Sequence, residues 1–140
     1  MPLRVIGTAP VPWAEIFLAF LVSHVTGDFI LQTEWQATRK KDGLGGDPVA
    51  RRALLTHVAT YTLAFVPVLV WLADSIGAAV VAVALLIAVP HLVQDDGRAV
   101  EAYMRTVKHA DARERPGVAV AVDQSFHIVA LFLVALVAAS

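Results

Sequence analysis

ALLTHVATYTLAFVPVLVWLADSIGAAVVAVALLIAVPHLVQD, residues 53 to 95, holds two apolar runs parted by one polar pair, Asp74 and Ser75. Each run, about 53–73 and about 76–95, is long enough as a helix to cross a hydrocarbon layer, which takes roughly 20 residues. So short a connection joins antiparallel neighbours, so the stretch predicts a transmembrane hairpin with a tight turn at 74–75.

The same apolar pattern returns on either side, at about 12–32 and about 117–139. Pro12 suits a helix start, where a missing N–H costs nothing. The 140 residues are 58% hydrophobic and 16% charged, with a mean hydropathy of +0.68. This predicts an all-α, polytopic membrane protein: a four-transmembrane-helix bundle in one integral membrane domain over 1–140. The net charge of -1 says nothing about nucleic acid, and with no basic tail or basic helix no nucleic-acid partner is expected. The absence of cysteine removes disulfides, thiolate zinc sites and thiol nucleophiles. With one Arg and no A-x-A-like site near it, the first run reads as a retained span and not as a cleaved signal peptide.

Two polar connections carry the charge. Residues 33–52, TEWQATRKKDGLGGDPVARR, are turn-rich. In residues 96–116, Val100, Tyr103, Met104 and Val107 fall at helical spacing beside Arg105 and Lys108. That segment reads either as a short interfacial amphipathic helix between spans three and four or as a solvated connector. Of the eleven Lys and Arg residues, only Arg4 lies outside these two connections. The positive-inside rule then predicts that 33–52 and 96–116 are cytoplasmic and both termini are outside. Trp13 and Trp71 would mark the outer interface and Trp35 the inner one.

The polar residues inside the spans form a pattern of their own. His24 and Asp28, His91 and Asp95, and Asp123 and His127 are each four residues apart, and so are His57 and Tyr61. That spacing places both members of a pair on one helix face. The groups come late in spans one and three and early in spans two and four. With alternating helix directions, all of them fall at one depth, about 6 to 16 Å from the inner boundary. A charged Asp at span depth costs roughly 2.5 to 3.5 kcal/mol, so three of them need compensation. Protonation, His–Asp pairing, water and metal are the choices. Four imidazoles and three carboxylates outnumber the ligands of one zinc and suit a two-metal site. The metal-ligand candidates are His24, Asp28, His57, His91, Asp95, Asp123 and His127. With no sulfur, the donor set points to Zn, Mn or Fe as the divalent cofactor, in one or two ions. Gln32, Tyr61, Gln94 and Gln124 are candidates to orient the ligands. Pro90 removes an amide beside His91 and frees a carbonyl near the site. Glu15 and His109 have no partner pattern.

The motifs HVTGDFILQTEW, His57 with Tyr61, HLVQD at 91–95 and DQSFH at 123–127 together resemble a bacterial and phage membrane family, domain of unknown function 3307. The shared pattern is H-x-x-x-D-F-x-L-Q, an isolated His, H-x-x-x-D and D-Q-x-x-H, and it covers nearly the whole chain. In the family the third motif often continues into a lysine; here it reads DDGR, with Arg98 nearby. The resemblance implies a fold and a metal site, not an established activity; taken with the charge asymmetry it sets the expected location as the inner membrane of a bacterium. The pattern is also distantly similar to that of inner-membrane metal-dependent hydrolases.

The leading functional expectation is therefore a membrane-embedded, metal-dependent hydrolase. Asp28, Asp95 and Asp123 are its candidate catalytic carboxylates. Its substrate would be an ester or phosphoester of a lipid or membrane-proximal molecule, reached from the cytoplasm. Arg51, Arg52 and Arg98 are the candidates to hold a phosphate. The alternatives are a metal or proton carrier and a structural subunit with a His–Asp hydrogen-bonded core. The small residues of AAVVAVA, 78–84, leave room for homo-oligomers through close helix packing.

Overall fold

The computed structural model describes residues 10–140, and among them there is no strand. Arg4, which entered the orientation argument, lies outside the described residues. The helices are α1 (Trp13–Val25), α2 (Glu34–Arg39), α3 (Pro48–Ala64), α4 (Val66–Ile76), α5 (Val80–Asp95), α6 (Arg98–Thr106) and α7 (Pro116–Ala138). A π-helical turn, Thr26–Ile30, continues α1. Three stretches are long and apolar enough to cross a membrane: Trp13–Ile30, Val66–Asp95 and Pro116–Ala138.

The middle stretch is not one straight rod. Gly77 has φ +57°, a conformation glycine adopts without a Cβ penalty, and Gly77–Ala79 form a 3-10 turn. Val66, Leu69 and Ala73 of α4 then share an apolar groove with Val80, Val81 and Ala84 of α5, so the chain doubles back. The reversal predicted at 74–75 thus falls at 77–79, because Asp74 and Ser75 continue the helix and the residue able to turn it is Gly77. A second interruption falls at Phe65, between α3 and α4. Pro67 has no N–H to offer the carbonyl of Leu63, so the helical ladder cannot run through.

The two polar connections are more structured than expected. Thr33 and Gln36 form a reciprocal capping box, with Gln36 N donating to Thr33 Oγ1 at 3.2 Å and Thr33 N donating to Gln36 Oε1 at 2.9 Å. This starts α2 inside a segment read as loop. The α3 helix begins at Pro48, capped by Asp47, whose Oδ1 accepts from Val49 N at 2.8 Å. The α6 helix is amphipathic, but its apolar residues Val100 and Met104 are buried against Val122 of α7, with Tyr103 set edge-on to Phe126 at 5.2 Å. The segment is thus a helix whose Val100 and Met104 pack on protein while Val107 stays exposed.

Both connections lie at the same end of the bundle. Asp42 N donates to Asp96 O at 2.9 Å and Leu44 N donates to Asp96 Oδ1 at 2.7 Å, which staples one to the other. Away from that end the interior is apolar: Ile16 and Phe20 of α1, Phe65, Val68 and Leu72, Val83 and Ile87 of α5, and Leu131 and Val134 of α7 form one core. Large apolar side chains also cover the outside, such as Leu18 at 63%, Val70 at 64% and Leu85 at 58% exposure. So much exposed apolar surface fits a bilayer and would be a liability in water.

Candidate metal centre

Each helix that brings a ligand to the loop end does so for a local reason. On α1 the π turn is decisive: Leu31 N donates to Thr26 O at 2.9 Å, an i→i+5 bond that swells the helix by one residue. From this turn Asp28 keeps one oxygen, Oδ2, 3.5 Å from His24 Nδ1 and directs the other, Oδ1, to the centre, toward His57 and His91. Gly27 lets this turn lie directly on Tyr61 of α3. On α3, His57 sits one turn before Tyr61, whose ring stacks on His91 of α5 with centroids 3.4 Å apart. On α5, Asp95 follows His91 by one turn at the helix end. On α7, Asp123 and His127 come early, just above the polar connections.

Four ligand atoms from three helical segments meet at one point. His57 Nε2 lies 3.1 Å from His91 Nε2, 3.3 Å from Asp28 Oδ1 and 2.8 Å from Asp95 Oδ2. His91 Nε2 lies 3.6 Å from Asp28 Oδ1 and 3.3 Å from Asp95 Oδ2. All four residues are buried. Asp28 Oδ1 is buried with no hydrogen-bond partner, and so are the Nδ1 atoms of His57 and His91. Ligand atoms about 2.0 to 2.1 Å from a tetrahedral ion stand about 3.3 to 3.4 Å from one another. The observed spread brackets that edge length, so these residues fit a divalent ion held by two imidazoles and two carboxylates.

Asp95 also serves a second group, Asp95, Asp123 and His127. His127 Nδ1 donates to the backbone carbonyl of Asp123 at 2.8 Å, which fixes its tautomer and leaves the Nε2 lone pair free. That lone pair is buried without a partner and faces Asp95 Oδ1 at 3.3 Å. Two lone pairs at this distance repel unless a cation or proton lies between them. The same arrangement, a ring N–H anchored to a carbonyl with the other nitrogen free, is the usual second contact of a metal-bound histidine. Asp95 alone belongs to both groups, one oxygen to each.

His24 is brought to the cluster but not into either group. Its Nδ1 pairs with the Tyr61 hydroxyl at 3.1 Å and its Nε2 with Gln124 Oε1 at 3.0 Å. Gln124 Nε2 in turn donates to Asp123 Oδ2 at 3.3 Å. Both ring nitrogens are thus spent on hydrogen bonds, and the ring stacks on His127 at 5.3 Å. Asp28 Oδ2 is 3.5 Å from His24 Nδ1. Gln32 donates to Asp28 O at 3.2 Å and Gln94 to Phe126 O at 3.2 Å, so all four orienting candidates lie around the site.

The three arginines lie elsewhere. Arg51 donates to Gly45 O, Arg52 lies over the Trp35 ring at 6.0 Å, and Arg98 pairs with Asp96. Asp96 beside it pushes the Arg98 guanidinium above its ordinary pKa. The cation that does reach the cluster is Lys40, whose Nζ donates to Asp95 Oδ2 and to Gln32 Oε1, both at 2.6 Å. In the sequence Lys40 is one of a run, RKK at 39–41, that reads only as positive-inside charge; no spacing ties it to Asp95.

A cavity of about 150 Å³ opens beside the cluster at the loop end. Lys40, Lys41, Gln94, Asp95 and Asp123 line it, with α6 and the start of α7 on the other wall. Asp123 is the partly exposed member of the cluster.

The family model for "Protein of unknown function (DUF3307)" matches residues 16–140. The chain belongs to that family. The matched segment holds every residue of both ligand groups. Neither the curated proteins nor the solved structures contain a match.

Proposed function

We propose that the protein is a membrane-embedded metalloenzyme that hydrolyses an ester or phosphoester of a lipid or membrane-proximal molecule. The observation that carries this reading is the set of 2.8 to 3.6 Å separations among four buried ligand atoms on three helical segments. Zn, Mn or Fe suits the nitrogen and oxygen donors, and Asp95 can bridge a second ion held by Asp123 and His127. Such an ion would lower the pKa of a bound water toward neutrality. Asp123, half out of the cluster and facing the cavity, is placed to take the proton from that water. Lys40 and Lys41 line the cavity where an anionic headgroup would enter.

The topology we assign has four spans: α1 with its π turn, the bent α3–α4 pair, α5 and α7. Their shared polar end, with 33–52 and 96–116, faces the cytoplasm of a bacterial inner membrane. A conduit for ions or protons is the weaker reading, because the core from Ile16 and Phe20 through Leu72 to Val134 seals the other end of the site. The test is a screen of ion-loaded protein in lipid-containing micelles against ester and phosphoester lipids, beside Asp123→Asn. Turnover that is lost in the variant while its first ion remains supports the enzyme. Tight ion binding with no turnover of any lipid, and ion movement into vesicles, would replace it with a carrier.

A further inference from the structure

Lys40 is unusual among the basic residues of the loop end, because its charge is spent inside. Its Nζ lies 2.6 Å from Asp95 Oδ2, the oxygen that also stands 2.8 Å from His57 Nε2 and 3.3 Å from His91 Nε2. Its side chain is 14% exposed. A second bond, to Gln32 Oε1 at 2.6 Å, ties it to the π turn, since Gln32 Nε2 holds the carbonyl of Asp28. The ammonium therefore bonds Asp95 directly and is linked to the Asp28 segment through Gln32.

An ion in that group would sit about 2.0 to 2.2 Å from Asp95 Oδ2. It would then stand no more than about 4.8 Å from the Lys40 ammonium, with little water to screen the two cations. One carboxylate oxygen cannot serve both at full strength. Lys40 also has somewhere to go. It leads from the end of α2 into the cavity wall, where Lys41 and Glu101 are neighbours and Glu101 offers another carboxylate.

We propose that Lys40 is a tethered cation that competes with the divalent ion for Asp95, neutralising the carboxylate in the ion-free protein and swinging into the cavity on ion loading. Deepening the metal reading above, on which it rests, this exchange makes Lys40 a positioning residue. Unloaded, it holds Asp95 in place without an ion. Loaded, it delivers its ammonium to the cavity, beside Lys41, where the anionic end of a substrate would enter. A protein with this device gives up some ion affinity to keep an intact site when empty.

The experiment is titration of Mn²⁺, and separately of Zn²⁺, into chelator-stripped full-length protein in detergent, for wild type, Lys40→Met and Lys40→Arg. Amine labelling of Lys40, read by mass spectrometry, is measured with and without Mn²⁺. The expected result is about tenfold or greater tightening in Lys40→Met, because one cation no longer opposes the other. Lys40→Arg, still cationic, should stay near wild type, and Lys40 labelling in wild type should rise on Mn²⁺ addition. A merely structural lysine would weaken binding when lost, never tighten it. Mn²⁺ binding that is equal or weaker in Lys40→Met overturns the exchange and leaves the metal site standing. If Lys40→Met does not fold, labelling of wild-type Lys40 that is the same with and without Mn²⁺ overturns it equally. Absence of Mn²⁺ and Zn²⁺ binding in wild type and both variants overturns the exchange and the metal reading together.

Discussion

A Cβ on Gly27 would stand 2.6 Å from Tyr61 Cδ2 and 3.2 Å from the Tyr61 Cα. The π turn and α3 therefore lie too close to admit a Cβ at residue 27 without a shift, and across this contact Asp28 Oδ1 lies 3.3 Å from His57 Nε2. The Tyr61 backbone cannot retreat, since its ring is held between His91 and Phe65. Gly27→Ala should force the segments apart at a cost of about 1 to 3 kcal/mol. Ion affinity should fall with it. Thermal unfolding in detergent, with and without ion, reads both.

Tyr61 has two separable contacts, the stack on His91 and the hydroxyl bond to His24. Tyr61→Phe keeps the first and deletes the second, leaving buried His24 Nδ1 with only Asp28 Oδ2 at 3.5 Å, which costs about 1 to 3 kcal/mol. The ion should be retained. Tyr61→Ala removes the ring as well and should loosen His91, lowering ion affinity. Metal content and melting temperature of the two variants, measured together, check the separation.

Asp95 shares its two oxygens between the groups, whereas Asp123 belongs to one. Asp95→Asn should remove all bound ion, and Asp123→Asn should remove only the second equivalent if two bind. The stoichiometry of each purified variant decides this. Equal loss in both would break the assignment of a bridging role to Asp95.

Protons compete with an ion for imidazole nitrogen, so ion loading must release protons and weaken as the solution is acidified. Stripping the protein at low pH and restoring neutral pH with ion present should recover the melting temperature. A melting temperature indifferent to chelator at neutral pH would indicate a hydrogen-bonded core without metal.

The chain has no cysteine, so single cysteines report topology directly. Gly46→Cys and Glu114→Cys should react with a membrane-impermeant thiol reagent only in inside-out vesicles. Ser140→Cys should react only in right-side-out ones. Opposite labelling of Gly46→Cys and Glu114→Cys would contradict the four-span assignment.

Much of the site could be read from spacing. The i,i+4 pairs on alternating helices put His57, His91, Asp95, Asp123 and His127 at one depth, and they meet there. Spacing could not show which pair members face each other. Asp28 sits in a π turn and reaches α3 and α5 with one oxygen while the other stays near His24, and no residue type announces such a bulge. His24 shares the stripe yet spends both nitrogens on Tyr61 and Gln124, a choice set by tertiary neighbours. Lys40 was hidden because its link to Asp95 is made by a loop folding back, not by periodicity. The capping box of TEWQ and the Asp47–Pro48 start of α3 were legible as local signals inside a segment read as loop. The bend at Phe65 follows from Pro67, and the reversal at Gly77 from the one residue there free of a Cβ.

Elemental analysis of the detergent-purified full chain, beside His57→Ala and His91→Ala, tests the central claim most directly. The account predicts one or two equivalents of zinc, manganese or iron in wild type, and loss of at least one in each folded variant. Wild-type protein that holds no ion, even after reconstitution with each metal, would contradict it.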